Sequence, residues 1–484
     1  MTVQATRDAT DELGQASIGG LIVKFAAPSV VAMVVMSLYN IVDQLFIGHD
    51  VGYLGNAATN VVFPVNVLAI GVSMLMGEGA VALYSINMGK GDREKARKCV
   101  GNAITMLAVI GVLFASLCLA FLQPVLGFFG ATEAIMPYAV DYAAPIVFGL
   151  PFVIVGPGLN AFIRAGGSPG FAMKSMVAGA VLNTVLDPIF IFTLGMGVKG
   201  AAIATAVSQF VSFAVSVSFF VRDNRFGIER KHLRPDASTV FRIMACGASP
   251  SISQTAIMVV IVTLNKSLVL YGANSPYGSE IPLAAHGIAM KVNQILFSVL
   301  IGISMGAQPI IGYNFGAGNY DRVKKAFLLA VLLATGVGLA AFVVFFFFPQ
   351  TIVGLFGSEE ELYNEFAQKC FRIFLFFTAL NGFTILSGTL FQSMARVTRA
   401  AAIQLSRQVL LMIPAVHILP LYYGIEGVLF AGPITDGCSF VLAFVLVSRE
   451  LRLLDKKNAA RDAAQEAEDM EMILPSDSAR IRSI

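Results

Sequence analysis

Two aspartates sit where a chain of this composition can least easily hold them. Asp43 lies in the apolar run 20–47, five residues before Gly48, and Asp187 lies in the run 173–195, eight residues before Gly195. At about 1.5 Å per helical residue, both carboxyls fall roughly 8–12 Å inside the end of their run. Asn183 precedes Asp187 by four residues and shares its helix face, and Thr205 follows Gly200 by five residues at a comparable depth. Two carboxyls, an amide and a hydroxyl at one level offer oxygen ligands to a hard cation such as Na+, so Asp43, Asn183, Asp187 and Thr205 form a candidate metal set. The same acids could share a proton instead, because carboxylates that close repel one another unless something positive stands between them. A plainer role is a hydrogen-bonded aspartate that only orients helices. The cost of an ionisable group in an apolar span favours the functional reading.

Glu78 is flanked by Gly77 and Gly79, which let a ligand or a neighbouring helix come close. It is either an anion on a cavity wall or the partner of a buried base such as Lys291. Met33, Met36, Met74 and Met290, with Met76 and Met305, fall in runs that would border one cleft, beside Phe63 and Phe297. Methionine is flexible and polarisable and can repack around ligands of different shape, although any single methionine is more often ordinary packing. The four histidines form no cluster with serine or acid. The five cysteines (Cys99, Cys118, Cys246, Cys370, Cys438) have no CxxC pair and no metal spacing.

The elements that must position these residues are apolar helices. The 484 residues are 56% hydrophobic and 13% charged, with a mean hydropathy of +0.76, where soluble domains carry about 25% charge. A net charge of +3 is too mild for nucleic acid. Twelve runs are long enough to cross a bilayer: 20–47, 58–86, 99–123, 137–162, 173–195, 200–222, 241–271, 282–313, 326–348, 366–393, 402–423 and 426–448. They are continuous and do not alternate in ten-residue pieces, which excludes membrane strands. The fold expected is an all-α polytopic membrane protein.

Lys and Arg collect in the segments 89–98, 222–234, 322–325, 396–399 and 449–457, while 49–60, 127–141 and 271–286 contain none. Only Lys199, Lys369 and Arg372 break the pattern. The asymmetry places the basic segments and both termini in the cytosol, in a cell (inner) membrane. Residues 1–19 then read as a polar cytosolic leader, 223–240 as an interlobe linker, and 449–484 as a tail frayed beyond 455. The chain also repeats. Met88-Gly89-Lys90-Gly91-Asp92 echoes Phe315-Gly316-Ala317-Gly318-Asn319 at a shift of 227, as Gly200 does Gly427, and Ala27-Pro28-Ser29 echoes Ser249-Pro250-Ser251 at 222. Six spans per repeat give two lobes, 20–222 and 241–448, in one orientation. That layout belongs to carriers that bind between halves and alternate access. Pro28 and Pro250 each remove a backbone hydrogen bond and are candidate hinges.

Several stretches resemble the multidrug and toxic compound extrusion (MATE) family, most closely its MepA-like branch. They are Gly71-Val72-Ser73-Met74, Ser85-Ile86-Asn87-Met88-Gly89-Lys90-Gly91-Asp92, Arg164-Ala165-Gly166-Gly167-Ser168-Pro169, Leu182-Asn183-Thr184-Val185-Leu186-Asp187-Pro188 and Gln308-Pro309-Ile310-Ile311-Gly312-Tyr313-Asn314-Phe315-Gly316-Ala317-Gly318. The likeness runs from about residue 20 to 450. It implies export of small organic cations, often amphipathic drugs, against inward H+ or Na+, with no other cofactor. It also places the cation site of some members at Asp43, Asn183, Asp187 and Thr205.

At the local shift of 222 Asp43 falls on Asn265, which cannot titrate, and the run 241–271 holds no Asp or Glu. The coupling site expected is therefore one-sided, in the first lobe, and family members that use an acid in the seventh span find no counterpart here. A flippase for lipid-linked sugars, with a related fold, is the alternative; it would need a strongly basic cavity. No nucleotide loop, metal cluster or Ser/His pair supports an enzyme. Membrane lipid and small molecules are the partners expected, nucleic acid is not, and the chain reads as a monomer.

Overall fold

The computed structural model describes residues 12–50, 52–355 and 361–473, and among these every regular element is helical. In hydrocarbon a long apolar run can satisfy its backbone only within itself, which dictates helices. The first half comprises α1 (Ile18–Asp50), α2 (Gly52–Gly89), α3 (Arg93–Ala120), α4 (Met136–Ala165), α5 (Pro169–Pro188) and α6 (Gly197–Arg222). The second comprises α7 (Ala237–Gly272), α8 (Glu280–Gly316), α9 (Tyr320–Phe347), α10 (361–393), α11 (397–423) and α12 (425–473). Helix α10 bends by 47° between Glu361–Phe374 and Thr378–Ser393. The stretch from Val397 to Ala463 is helical throughout except at Gly424 (φ 57, ψ −140). As one helix its 67 residues would be about 100 Å long, some three times a hydrocarbon core. The left-handed turn, which glycine adopts without strain, divides it into two crossings and completes twelve.

The repeat is visible in the backbone. Gly91 (φ 77) and Gly318 (φ 74) follow α2 and α8, while Gly197 (φ 54) opens α6 and Gly424 (φ 57) stands just before α12. Each pair is 227 residues apart.

Cores and prolines are related. One buried cluster unites α7–α12 with Leu21, Ile22, Phe25 and Ala26 of α1, whereas Ile47 at the other end of α1 belongs to a first-lobe cluster. Likewise Ile243 and Cys246 of α7 pack in the first lobe, and Val260, Leu264 and Leu268 in the second. Thus α1 and α7 each change lobes along their length, and Pro28 and Pro250 lie where they do so. The lobes meet over the halves of the helices nearest the basic segments. Gly79 of α2 abuts Ile243 and Gly247 of α7, and Gly306 of α8 abuts Ala26 of α1; a Cβ on Gly306 would lie 2.5 Å from the Ala26 Cα. The two halves are shut against one another at the basic end.

Two segments differ from expectation. Helix α7 begins at Ala237, not 241, because the Asp236 carboxylate caps it, accepting from the Thr239 N–H at 3.0 Å and hydroxyl at 2.6 Å. Thr239 and Lys98 hold that carboxyl down at about 2. The linker is accordingly 223–236, and it is strapped to α3. The Asn102 side chain donates to the His232 carbonyl at 3.0 Å and accepts from the Asp236 N–H at 2.7 Å. The segment after 455 is helical to Ile473 rather than frayed, as its alanine and glutamate content favours. Asp455 pairs with Lys324 at 2.6 Å, and Arg461 donates to the Gly318 carbonyl at 2.9 Å. Residues 1–11 and 474–484 of the expected leader and tail lie outside the described residues.

Candidate functional site: a polar cavity in the first lobe

Asn183 and Asp187 stand one turn apart on α5, and α6 runs antiparallel beside them. The Asn183 amide donates to Asp187 Oδ1 at 3.1 Å and to Thr205 Oγ1 at 3.2 Å. From α1 the Asp43 carboxyl comes close enough to that of Asp187 for the two to interact electrostatically. The four residues singled out by depth and spacing are therefore together, contributed by three helices. Tyr39, one turn before Asp43 and on the same cavity wall as Gln209 of α6, and the buried Tyr142 of α4 complete the surroundings; neither tyrosine was singled out from sequence.

The cluster is rich in acceptors. Asp43 Oδ1, Asn183 Oδ1 and Asp187 Oδ2 are buried without a hydrogen-bond partner, and no Lys or Arg pairs with either carboxyl among the described residues. An uncompensated buried ion costs several kcal/mol. Three such oxygens beside the Thr205 hydroxyl suit a proton or a small hard cation and little else.

Asn183 and Thr205 form part of the wall of a partly open cavity of about 860 Å³, the solvent at its mouth included. Its apolar wall includes Met36, Met74, Met176 and Met305, with Tyr39 and Pro157; its polar groups include Asn160, Gln209 and Ser212. Met33 lines a smaller adjoining space of about 220 Å³. Met290 and Lys291 are elsewhere. Met290 packs against the second-lobe core, and Lys291 is exposed. Met305 is the part of α8 on the wall, and residue 290 is some 22 Å away along the helix.

Glu78 is on the wall, and its partner is Arg164, not Lys291: Arg164 Nη2 donates to Glu78 Oε1 at 3.3 Å, with side chains 6% and 17% exposed. The cause lies in the backbone. A Cβ on Gly77 would sit 2.8 Å from the Gly158 Cα, so α2 and α4 are nearly in contact there and bring the two charges together. Arg164 entered the sequence analysis only as the first residue of Arg164-Ala165-Gly166-Gly167-Ser168-Pro169 and was given no site role, although a charge ending an apolar run was a usable signal. The second lobe differs. Its buried Asp436 is neutralised by Arg407 at 2.6 Å and accepts from Asn381 at 3.4 Å, while Arg407 lies over the Phe297 ring at 5.5 Å.

Comparison with known proteins agrees with the repeat. The MatE family profile matches residues 28–189 and again 255–417. The chain is 26% identical over 448 residues to the Multidrug export protein MepA of Staphylococcus haemolyticus, covering 91% of this chain and 95% of that one. It is 25% identical over 446 residues to the FAD transporter of Shewanella oneidensis, covering 90% and 95%. Among solved structures it is similar to an outward-facing multidrug resistance MATE family transporter of the MOP superfamily, with a TM-score of 0.85, 24% identity, and 92% and 98% of the two chains covered. Two profile matches that fill two thirds of the chain, one to each lobe, on a fold of twelve apolar helices establish that this chain belongs to the MatE family of multi-pass membrane transporters.

Proposed function

We propose that the protein exports organic cations or amphipathic drugs in exchange for H+ or Na+, with the ion taken up at Asp43, Asn183, Asp187 and Thr205. One observation carries the reading: three buried oxygens without partners, on Asp43, Asn183 and Asp187, belong to a cluster whose Asn183 and Thr205 line a methionine-rich cavity. Ion and cargo thus act on one space, which is what antiport needs. A ligand shifts a conformational equilibrium only by its differential affinity for the two states. Here the ion would neutralise the acid pair and so change what the cavity offers a cation. Two buried acids that interact without a base between them suit a shared proton as well as a small cation, since either reduces their mutual repulsion.

Helix α1 is the proposed moving part. It carries Asp43, passes Pro28, and belongs to the second lobe at one end and the first at the other. With the basic segments in the cytosol, the closed basic end makes this the outward-facing state. Ion uptake would bend α1 into the cavity and expel cargo outward. Relatives named for multidrug export and for FAD are similar at 26% and 25% identity, so the cavity decides between cargoes. The residues lining the cavity include a single base, Arg164, whose charge is balanced by Glu78, where the pyrophosphate of a lipid-linked sugar would call for several.

The test is equilibrium binding of ethidium to the purified protein, titrated with pH and with Na+. One of the two ions should release ethidium from the parent, and Asp43→Asn should bind it without that release. Release from Asp43→Asn at the parent's midpoint would remove Asp43 from the coupling role.

A further inference from the structure

We propose that the Glu78–Arg164 pair selects cargo that carries a carboxylate as well as a cationic centre; the inference rests on the export reading above and narrows its cargo. Arg164 is almost fully buried and borders both the main cavity and the smaller space beside it. Its guanidinium has five donors, and among the described residues its one hydrogen bond is the 3.3 Å contact to Glu78 Oε1. Glu78 uses that one oxygen, and its other has no partner. The pair is therefore joined by a single long bond, with most of its capacity unspent and turned toward a wall of methionines.

A neutral pair of this kind presents a positive and a negative group side by side. A cargo with only a positive charge meets Glu78 but is forced against the guanidinium, and like charges juxtaposed at a contact are penalised. A cargo with only a carboxylate has the opposite difficulty. A molecule bearing both sets each charge against its complement, and the planar guanidinium fork matches a carboxylate with two parallel hydrogen bonds. The acid pair Asp43 and Asp187 is left for the coupling ion.

The experiment uses rhodamine 110, a xanthylium cation with a free carboxylate, and rhodamine 123, its methyl ester, which keeps the cation and loses the anion. Binding to the purified full chain is read by fluorescence anisotropy, and export by proteoliposomes under an imposed ion gradient. The parent should bind the acid about tenfold more tightly than the ester, the order expected for one charge-assisted interaction. Arg164→Gln should weaken the acid and tighten the ester, because Glu78 is released to the cation. Arg164→Lys should keep the preference for the acid. The double variant Glu78→Gln/Arg164→Gln removes both charges without stranding either and should abolish discrimination. Equal binding of acid and ester by the parent, or an unchanged ratio in Arg164→Gln and the double variant, overturns the inference. If the ester is exported under the gradient without any preference for the acid, the inference falls and the export reading stands. If neither probe is exported, both fall.

Discussion

Adding one methyl group at Gly306 should open the shut end of the molecule without touching the ion site. Gly306 of α8 faces α1, where a Cβ would lie 2.5 Å from the Ala26 Cα and equally close to its nitrogen. Both obstructing atoms are backbone, so no flexible side chain can move aside. To reach ordinary contact near 3.4 Å the helices must part by about 0.9 Å, in a region where Gly302 and Val30 are crowded in the same way. Overpacking of this kind costs about 1–3 kcal/mol. If closure of the basic end is one of two transport states, Gly306→Ala shifts the balance away from it by roughly 5–150-fold. The assay is modification of a cysteine placed at Ser73, on the cavity wall, by a membrane-impermeant reagent applied to right-side-out and to inverted vesicles. Labelling from the cytosolic side should rise in Gly306→Ala, and export should fall. Labelling and export that both match the parent would refute the argument that glycine packing holds this end shut.

Pro28→Ala should leave ethidium bound when pH or Na+ would release it from the parent, because α1 loses the break between its two lobe attachments; release like the parent's, in the same binding titration, would exclude the bend. Glu78→Ala should lower stability by about 3 kcal/mol, since it strands a buried guanidinium; the thermal midpoint in detergent reads this, and an unchanged midpoint would contradict it. Cysteines in place of Lys90 and Asn274 should be labelled from opposite faces of the membrane, the first from the cytosol. Labelling of both from one face would refute the orientation.

The spans were legible because twenty apolar residues have one way to cross a bilayer, and the repeat because the turns of its glycines recur at one spacing. Asp43, Asn183, Asp187 and Thr205 could be brought together on paper because helical rise converts sequence offset into depth. Lateral position was harder to read. Nothing in the offsets says which face of α8 meets the cavity, so Met290 and Lys291 were expected on a wall that Met305 reaches instead. Arg164 was hidden for a related reason: its pairing with Glu78 follows from the near-contact of Gly77 and Gly158, two residues on different helices. The lobe-changing course of α1 and α7 was not legible either. Both prolines suggested bends, but that each stands between a first-lobe and a second-lobe attachment follows only from packing.

The most direct test of the account is ethidium export from proteoliposomes under a proton gradient alone, a sodium gradient alone and no gradient, for the parent and for Asp187→Asn. The expected result is export by the parent under at least one of the two gradients and none without, with Asp187→Asn folded in the bilayer yet unable to respond to either. Export by Asp187→Asn at the parent's rate, or uphill export by the parent with no gradient imposed, would contradict it.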